Sequence, residues 1–540
     1  MRQTTQGASG HRGPKPVSVF PVKVPHYERP PVRPFTADER ATTTILFGNL
    51  TPAHEALIEA VFRGSGYLCQ ALPTPTRANC LTGKQFCNNG LCNPNYFTAG
   101  NLIDYLRGLR DSGLTVSEVV DRFVYFTIGG CGPCRFGMYE SEYRQALDSA
   151  GFPGFRVFTF HSNSAVLGGS KQPGLRYTVN FGLGMLNALN LGDVLFDVAH
   201  RIRPYEVVPG ATDHALAACL ADLAGFLRER CGYEFFRKPR HGRLADIASI
   251  LGRIRYHLNA RDWKATLARV QDRLNDVEVD WLRVKPAVKV TGEFYSAISE
   301  GDANYNLFRS LENEGAEVHV DPIGNLILYW IYQARLQNQK RKGLRPGYWK
   351  KAALLGFCEW FWGWQYRRTA AHIGGPSASP ERQAELGCLA KPYYDLLTRG
   401  GEGHLIAARG VDAALRGTSH LMISVKPFGC MPSTQSDGVM AQVVADHPSL
   451  HFLPLETLGE GEVHALSRVQ MALGDARDQA RDEFEIALLR VGRSIASIRD
   501  YVRRHPEMRR ACYRVPPTPG VAGTAARFVL HVARRMETSR

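Results

Sequence analysis

The sequence predicts an α/β protein made of doubly wound lobes with helical insertions, and three observations predict it. Strand-like and helix-like segments alternate twice along the chain, over residues 43–160 and again over 288–455. The run Phe123–Ile128 is apolar almost throughout, as a parallel strand buried on both faces requires. Gly/Pro-rich turns at 131–137 and 426–432 follow strand-like runs and lead into helix-like ones. A chain of 540 residues is expected to hold two or three domains.

Residues 1–40 are rich in Pro, Arg and Thr without periodicity and read as a disordered basic arm. The N-terminal lobe, with its helical extension, is expected over 41–285. It opens with the β-branched run Thr43-Thr44-Ile45, then helix-like Ala53–Phe62 and strand-like Tyr67–Leu72. A loop of about twenty residues is expected next. A helix then runs from Asn95 to about Leu109, with Pro94 near its first turn, where a missing N–H does no harm. After the Phe123–Ile128 strand come helix-like Met138–Ala150 and strand-like Arg156–Phe160, and residues 178–283 read as mostly helical. The C-terminal lobe or lobes are expected over 286–500. Their elements are strands at Val288–Val290, Ala316–Val320, Leu421–Val425 and Leu450–Leu455, and helices at Ala303–Glu314, 436–446 and about Val463–Arg493. A helical insertion over 322–416 carries the cluster Trp360, Phe361, Trp362 and Trp364. Residues 501–540 read as a loosely held basic tail with at most one short helix, Ala526–Ala533.

The net charge of +15 sits mainly at the ends. Residues 1–40 contribute +4 and residues 491–540 contribute +8, so the body is near neutral and no basic stripe suited to phosphates is evident. Nucleic acid is therefore not an expected partner. No run of about 18 apolar residues suggests a spanning helix, and a membrane partner is not expected. No signal-peptide pattern opens the sequence. The expectation is a cytoplasmic protein whose twelve cysteines stay reduced.

Three cysteines stand in Gly/Pro-punctuated motifs: Cys92 in Asn88-Asn89-Gly90-Leu91-Cys92-Asn93-Pro94, Cys134 in Cys131-Gly132-Pro133-Cys134-Arg135-Phe136-Gly137, and Cys430 in Lys426-Pro427-Phe428-Gly429-Cys430-Met431-Pro432. Each precedes a helix-like segment, and a helix N-terminus favours a thiolate. Four readings stay open. Cys92, Cys134 and Cys430 could share an iron–sulfur cluster. Cys87-x4-Cys92 and Cys131-x2-Cys134 could hold zinc. Cys131-Gly132-Pro133-Cys134 could be a thiol–disulfide site, and all could be cysteines buried near tight turns. Cys80 is ambiguous. Glu293 and Glu456 end strands and are candidates for proton transfer or substrate positioning, or else helix N-caps. Arg135 could meet an anion. Gly400-Gly401-Glu402-Gly403-His404 is a Gly-rich turn before a helix without the Lys-Ser/Thr of a phosphate loop.

At these motifs the chain resembles the 2-hydroxyacyl-CoA dehydratase / acyl-CoA dehydratase activase-related superfamily, and more closely the non-ATPase portion of the large CoA-substrate-specific enzyme activases. The similar blocks include Leu50-Thr51-Pro52, Asn88–Thr98, Cys131–Glu140, Arg201–Pro209, Gly292–Asn304, Gly400–His404, Val425–Ser433 and Glu456–Leu473. The resemblance implies two or three Rossmann- or flavodoxin-like lobes around an oxygen-sensitive cluster, of 4Fe-4S or double-cubane type, on Cys92, Cys134 and Cys430. It implies an iron–sulfur lyase component in which an injected low-potential electron activates an acyl-CoA substrate for loss of hydroxide. The alternative is a reductase or electron-transfer protein with a similar cluster and no dehydratase activity, and a third is an interaction protein that keeps only the fold. The large relatives carry an ATPase part that this sequence lacks. A separate ATP-dependent activator of the actin/Hsp70-like class, carrying its own 4Fe-4S cluster, is therefore the expected partner.

Overall fold

A computed structural model describes residues 32–130, 134–161, 172–232, 243–344, 346–375, 379–398, 401 and 403–538. The first half runs β1 (Thr44–Phe47), α1 (Pro52–Gly64), β2 (Leu68–Ala71), α2 (Arg77–Phe86), α3 (Asn93–Asp111), α4 (Val116–Arg122), β3 (Phe123–Gly129), α5 (Tyr139–Ser149) and β4 (Arg156–His161). Helices α6 (Val179–Ile202), α7 (Ala211–Gly232), α8 (Arg243–Asn259) and α9 (Arg261–Asn275) follow. The second half runs β5 (Ala287–Gly292), α10 (Phe294–Ile298), α11 (Leu307–Asn313), β6 (Glu317–His319), α12 (Ile323–Lys340), α13 (Tyr348–Ile373), α14 (Gln383–Ala390), α15 (Gly403–Arg416), β7 (Leu421–Pro427), α16 (Met431–Asp446) and β8 (Phe452–Thr457). It closes with α17 (Glu462–Val491), α18 (Ile495–Arg504) and α19 (Thr524–Thr538).

The eight strands form two parallel four-stranded sheets, ordered β2-β1-β3-β4 and β6-β5-β7-β8. The α/β class expected from the alternation is therefore the observed one, and both halves wind in the same order. That order opens a flavodoxin-type sheet, whose chain reverses direction between its first and third strands. Each sheet is buried by its period-two apolar residues. In β7, Leu421, Ile423 and Val425 face Phe308 and Leu311 of α11 and Val469 and Leu473 of α17, while Met422 faces Ile406 of α15 and Met440 of α16. Among the described residues no helix is long and apolar enough to cross a membrane.

Several expectations are corrected. The loop expected between β2 and Cys92 contains α2, which Thr76 and Asn79 cap reciprocally. The helix expected over Ala303–Glu314 starts later, because Tyr305 and Asn306 take left-handed conformations. Residues 501–538 of the expected tail are not loosely held. Ala525, Phe528, Val529 and Val532 repeat at helical spacing and bury α19, while the carboxylate of Glu483 on α17 accepts the backbone N–H groups of Ala522 and Gly523 at 2.7 Å. Of the expected arm, residues 1–31 lie outside the described residues. Order begins earlier than Thr43, since Phe35 is fully buried and Glu39 pairs with buried Arg156 at 2.9 Å.

One buried polar hub ties the halves together. His54 on α1 bridges the hydroxyl of Thr51 (2.7 Å) and the carboxylate of Asp193 on α6 (3.1 Å). Asp193 also accepts the backbone N–H groups of Ile323 and Gly324 at 2.6 and 2.8 Å, satisfying the start of α12.

Candidate functional site

In open α/β sheets, the loops beyond the strands' carboxyl ends carry the binding groups. Here the loops of the two sheets meet. The amide of Asn93 reaches the carbonyl of Phe428 at 3.4 Å, joining the Cys92 turn to the Cys430 turn. A Cβ on Gly429 would stand 3.0 Å from Nη1 of Arg135, 3.5 Å from the carbonyl oxygen of Leu91 and 3.8 Å from Cα of Cys92. Gly429 has φ +75°, so this close approach relies on its lacking a side chain. The Arg135 guanidinium donates to the carbonyl of Gly90. All three cysteine turns thus come together through Gly429 and Arg135. Further along the same seam, Asp302 accepts from the amide of Arg77 at 2.8 Å and Glu460 pairs with Lys84 at 3.2 Å.

Each of the three cysteines is an N-cap in extended conformation. Cys92 caps α3 and Cys430 caps α16, both with Pro in the first turn, and Cys134 caps the short turn Arg135–Met138 that runs into α5. Cys92 and Cys430 are buried and Cys134 is partly exposed. The sulfur of Cys92 lies 2.9 Å from the hydroxyl of Tyr139, and the hydroxyl of Ser433 donates to the sulfur of Cys430 at 3.2 Å. Burial pushes the Cys92 thiol up. The Tyr139 hydrogen bond counters this, the charge of Glu293 adds to it, and the charge of Arg135 counters it again. Among the described residues, no three His, Cys, Asp or Glu side chains surround one ion position. The zinc and thiol–disulfide readings both need Cys131, which lies outside the described residues.

Glu293 follows β5 as an N-cap, its carboxylate accepting the backbone N–H groups of Tyr295 (3.1 Å) and Ser296 (3.0 Å). It therefore performs the capping role, while its charge also bears on Cys92 and Tyr139. Glu456 is an exposed residue of the edge strand β8, and its charge bears on Tyr305. Gly401 and Gly403 abut Pro432 at the start of α16, which brings His404 toward the Cys430 helix. His404 is buried, neither ring nitrogen has a hydrogen-bond partner among the described residues, and burial lowers its pKa to about 4.

The structure adds three residues that pattern reading passed over. Tyr139 looked like one aromatic on a helix. Asn95, fully buried in the first turn of α3, has neither amide atom hydrogen-bonded among the described residues. Glu55 on α1 lies beyond β1, where its side chain accepts the amide of Leu50 at 3.0 Å. Neighbouring Asn49 is held at φ +72° and donates to the hydroxyl of Tyr125 at 2.9 Å. Burial pushes the Glu55 carboxyl up to about 8, helped by the charges of Glu300 and Glu59 and opposed by the backbone N–H groups of Leu50 and Asn49. A carboxyl raised in this way favours the fold while protonated, and loses that contribution as pH rises through about 8. The stability of Glu55→Gln relative to wild type should therefore climb between about pH 5 and pH 9 by roughly a few kcal/mol. Urea titrations across that range measure it, and a pH-independent difference would mean that Glu55 is ionised in the fold.

No protein-family model matches the chain, and no curated protein matches it in sequence.

Proposed function

We propose that this chain is the iron–sulfur component of a 2-hydroxyacyl-CoA dehydratase-like system, with Cys92, Cys134 and Cys430 holding a 4Fe-4S or double-cubane cluster. The observation that carries the reading is the meeting of three cysteine-bearing turns, all helix N-caps, around Gly429. The donor set fits such a group. A cluster takes each thiolate on a different iron, so its ligands need not surround one ion position, and helix N-terminal N–H groups favour thiolates and anionic sulfides. The orphaned amide of Asn95 leaves hydrogen-bonding capacity beside the Cys92 turn.

A bound cluster would supply low-potential electron chemistry toward an acyl-CoA thioester, with a separate ATP-dependent activator as the electron source. The chain's own residues would do the rest. Tyr139 and Ser433 hydrogen-bond the Cys92 and Cys430 sulfurs, and Arg135 offsets negative charge between the turns. Glu55, protonated at neutral pH, can hold a proton at its carboxyl. Glu293 orders the start of α10, and Glu456 has the weaker claim of the two carboxylates because it stands on the exposed edge strand.

The test is anaerobic purification with iron and sulfide assays and low-temperature EPR, on wild type and on Cys134→Ser and Cys430→Ser. About four or eight irons per chain, lost in both variants, is the expected result. A signal that changes with acyl-CoA supports the dehydratase, and one blind to acyl-CoA supports the reductase alternative. Iron-free protein after reconstitution, or zinc in its place, would sink the proposal.

A further inference from the structure

We infer that the aromatic and basic face of α13 attaches the protein to an anionic membrane surface. Helix α13 lies far along the chain from the cysteine turns and shows solvent what a helix normally hides. Trp349 is 73% exposed, Trp360 57% and Phe357 56%. At 3.6 residues per turn, Trp349, Phe357, Trp360 and Trp364 fall within one stripe about 80° wide. The stripe is preorganised, with Trp360 stacked on Trp364 at 6.1 Å and Phe357 on Phe361 at 5.7 Å. Its inner edge is anchored, because Phe361, Trp362 and Trp364 pack with Leu183 and Leu186 of α6 and Leu258 of α8. The outer edge is the face without cover.

Charge selects the occupant. From Lys340 to Arg368 the sequence has eight Lys/Arg and one acid, Glu359, which Arg335 already pairs. Two such faces would repel, so a second copy is disfavoured. The cations sit against the rings themselves: Lys342 stands 5.3 Å from the Trp349 ring and Arg368 5.2 Å from the Trp364 ring. A single helix with projecting indoles flanked by Lys and Arg is the pattern of an interfacial helix. Its rings lie at headgroup depth and its cations meet anionic lipid. The expectation of no membrane partner rested on the want of a spanning segment, and surface attachment needs none.

The test uses the full chain in flotation assays with phosphatidylcholine vesicles and with vesicles containing phosphatidylglycerol, alongside tryptophan emission. Binding to the anionic vesicles alone, weakened by salt and accompanied by a blue shift, is expected. Trp349→Ser/Trp360→Ser and, separately, Lys350→Glu/Lys351→Glu should each bind roughly tenfold more weakly or worse, with unchanged circular dichroism and melting. Wild type that stays unbound overturns the inference, as do variants that bind like wild type. Concentration-dependent dimers in sedimentation velocity that Trp360→Ser disperses would overturn it in favour of a second copy. So would salt-sensitive capture of a soluble acidic protein by the same face with no vesicle binding.

Discussion

Replacing Gly100 by alanine should destabilise the protein by about 3 kcal/mol or more and make Cys92 accessible to alkylation. Helices α2 and α3 cross at two glycines. A Cβ on Gly100 would overlap the carbonyl oxygen of Asn79 and stand 2.6 Å from the amide nitrogen of Gly83, while a Cβ on Gly83 would overlap the carbonyl of Tyr96. These obstacles are backbone, which cannot rotate away as a side chain does, so the helices must separate. Cys92 is the N-cap of α3, and Cys80 on α2 reaches Asn93 at 3.7 Å, so the separation would be felt in the Cys92 turn. Gly108 of the same α3 has open space around its Cβ position, and Gly108→Ala should be neutral or stabilise by up to about 1 kcal/mol. Urea denaturation and iodoacetamide kinetics on the two variants measure the contrast. Equal stability would show that the helices can slide apart without loss.

Removing the carboxylate of Asp193 should cost about 3–5 kcal/mol. Asp193→Ala leaves Nε2 of His54 without its partner, in a place with no exposure, and strips the first N–H groups of α12 of their acceptor. Asp193→Asn retains one acceptor oxygen and should lose less. Because His54 belongs to α1 and Ile323 to α12, unfolding of the Ala variant should show the two halves of the chain becoming less cooperative. Thermal melts followed separately by near- and far-ultraviolet circular dichroism would detect this. A loss below about 0.5 kcal/mol, the range of ordinary surface substitutions, would refute the hub.

The parallel strands were legible because burial on both faces concentrates Val, Ile, Leu and Phe, as in β3 and β7. The cap at Cys92 was legible because Pro94 marks a helix start, whereas the helix after Cys430 was expected only over 436–446 and in fact begins at Met431. What escaped depends on partners distant in sequence. Helix α2 reads as loop because Gly83 and polar residues dilute its pattern, and the reason for Gly83 is Tyr96 on another helix. The arginines within α19 hid its apolar period. Glu55 looks like a surface residue of an amphipathic helix until the loop beyond β1 folds over it, and no local signal shows that His54 meets Asp193 139 residues away. Glu293 shows the converse. A carboxylate at a strand end was readable as a site candidate or as a cap, and only the amides of Tyr295 and Ser296 assign the cap.

The tail that knits back onto the molecule also sets the order of events in its synthesis. The carbonyl of Arg509 accepts from the amide of Val279, that of Cys512 from the amide of Gly375, and Glu278 bridges Arg510, so residues 509–512 complete segments made more than a hundred residues earlier. Those contacts are unavailable until residues 509–538 have been made. The sheets can wind as they emerge, but the closing seam waits for residues 509–538, as a slow, long-range step. Until then the apolar flank of α17 that α19 covers stays open, and that interval is when a nascent chain is most exposed to aggregation.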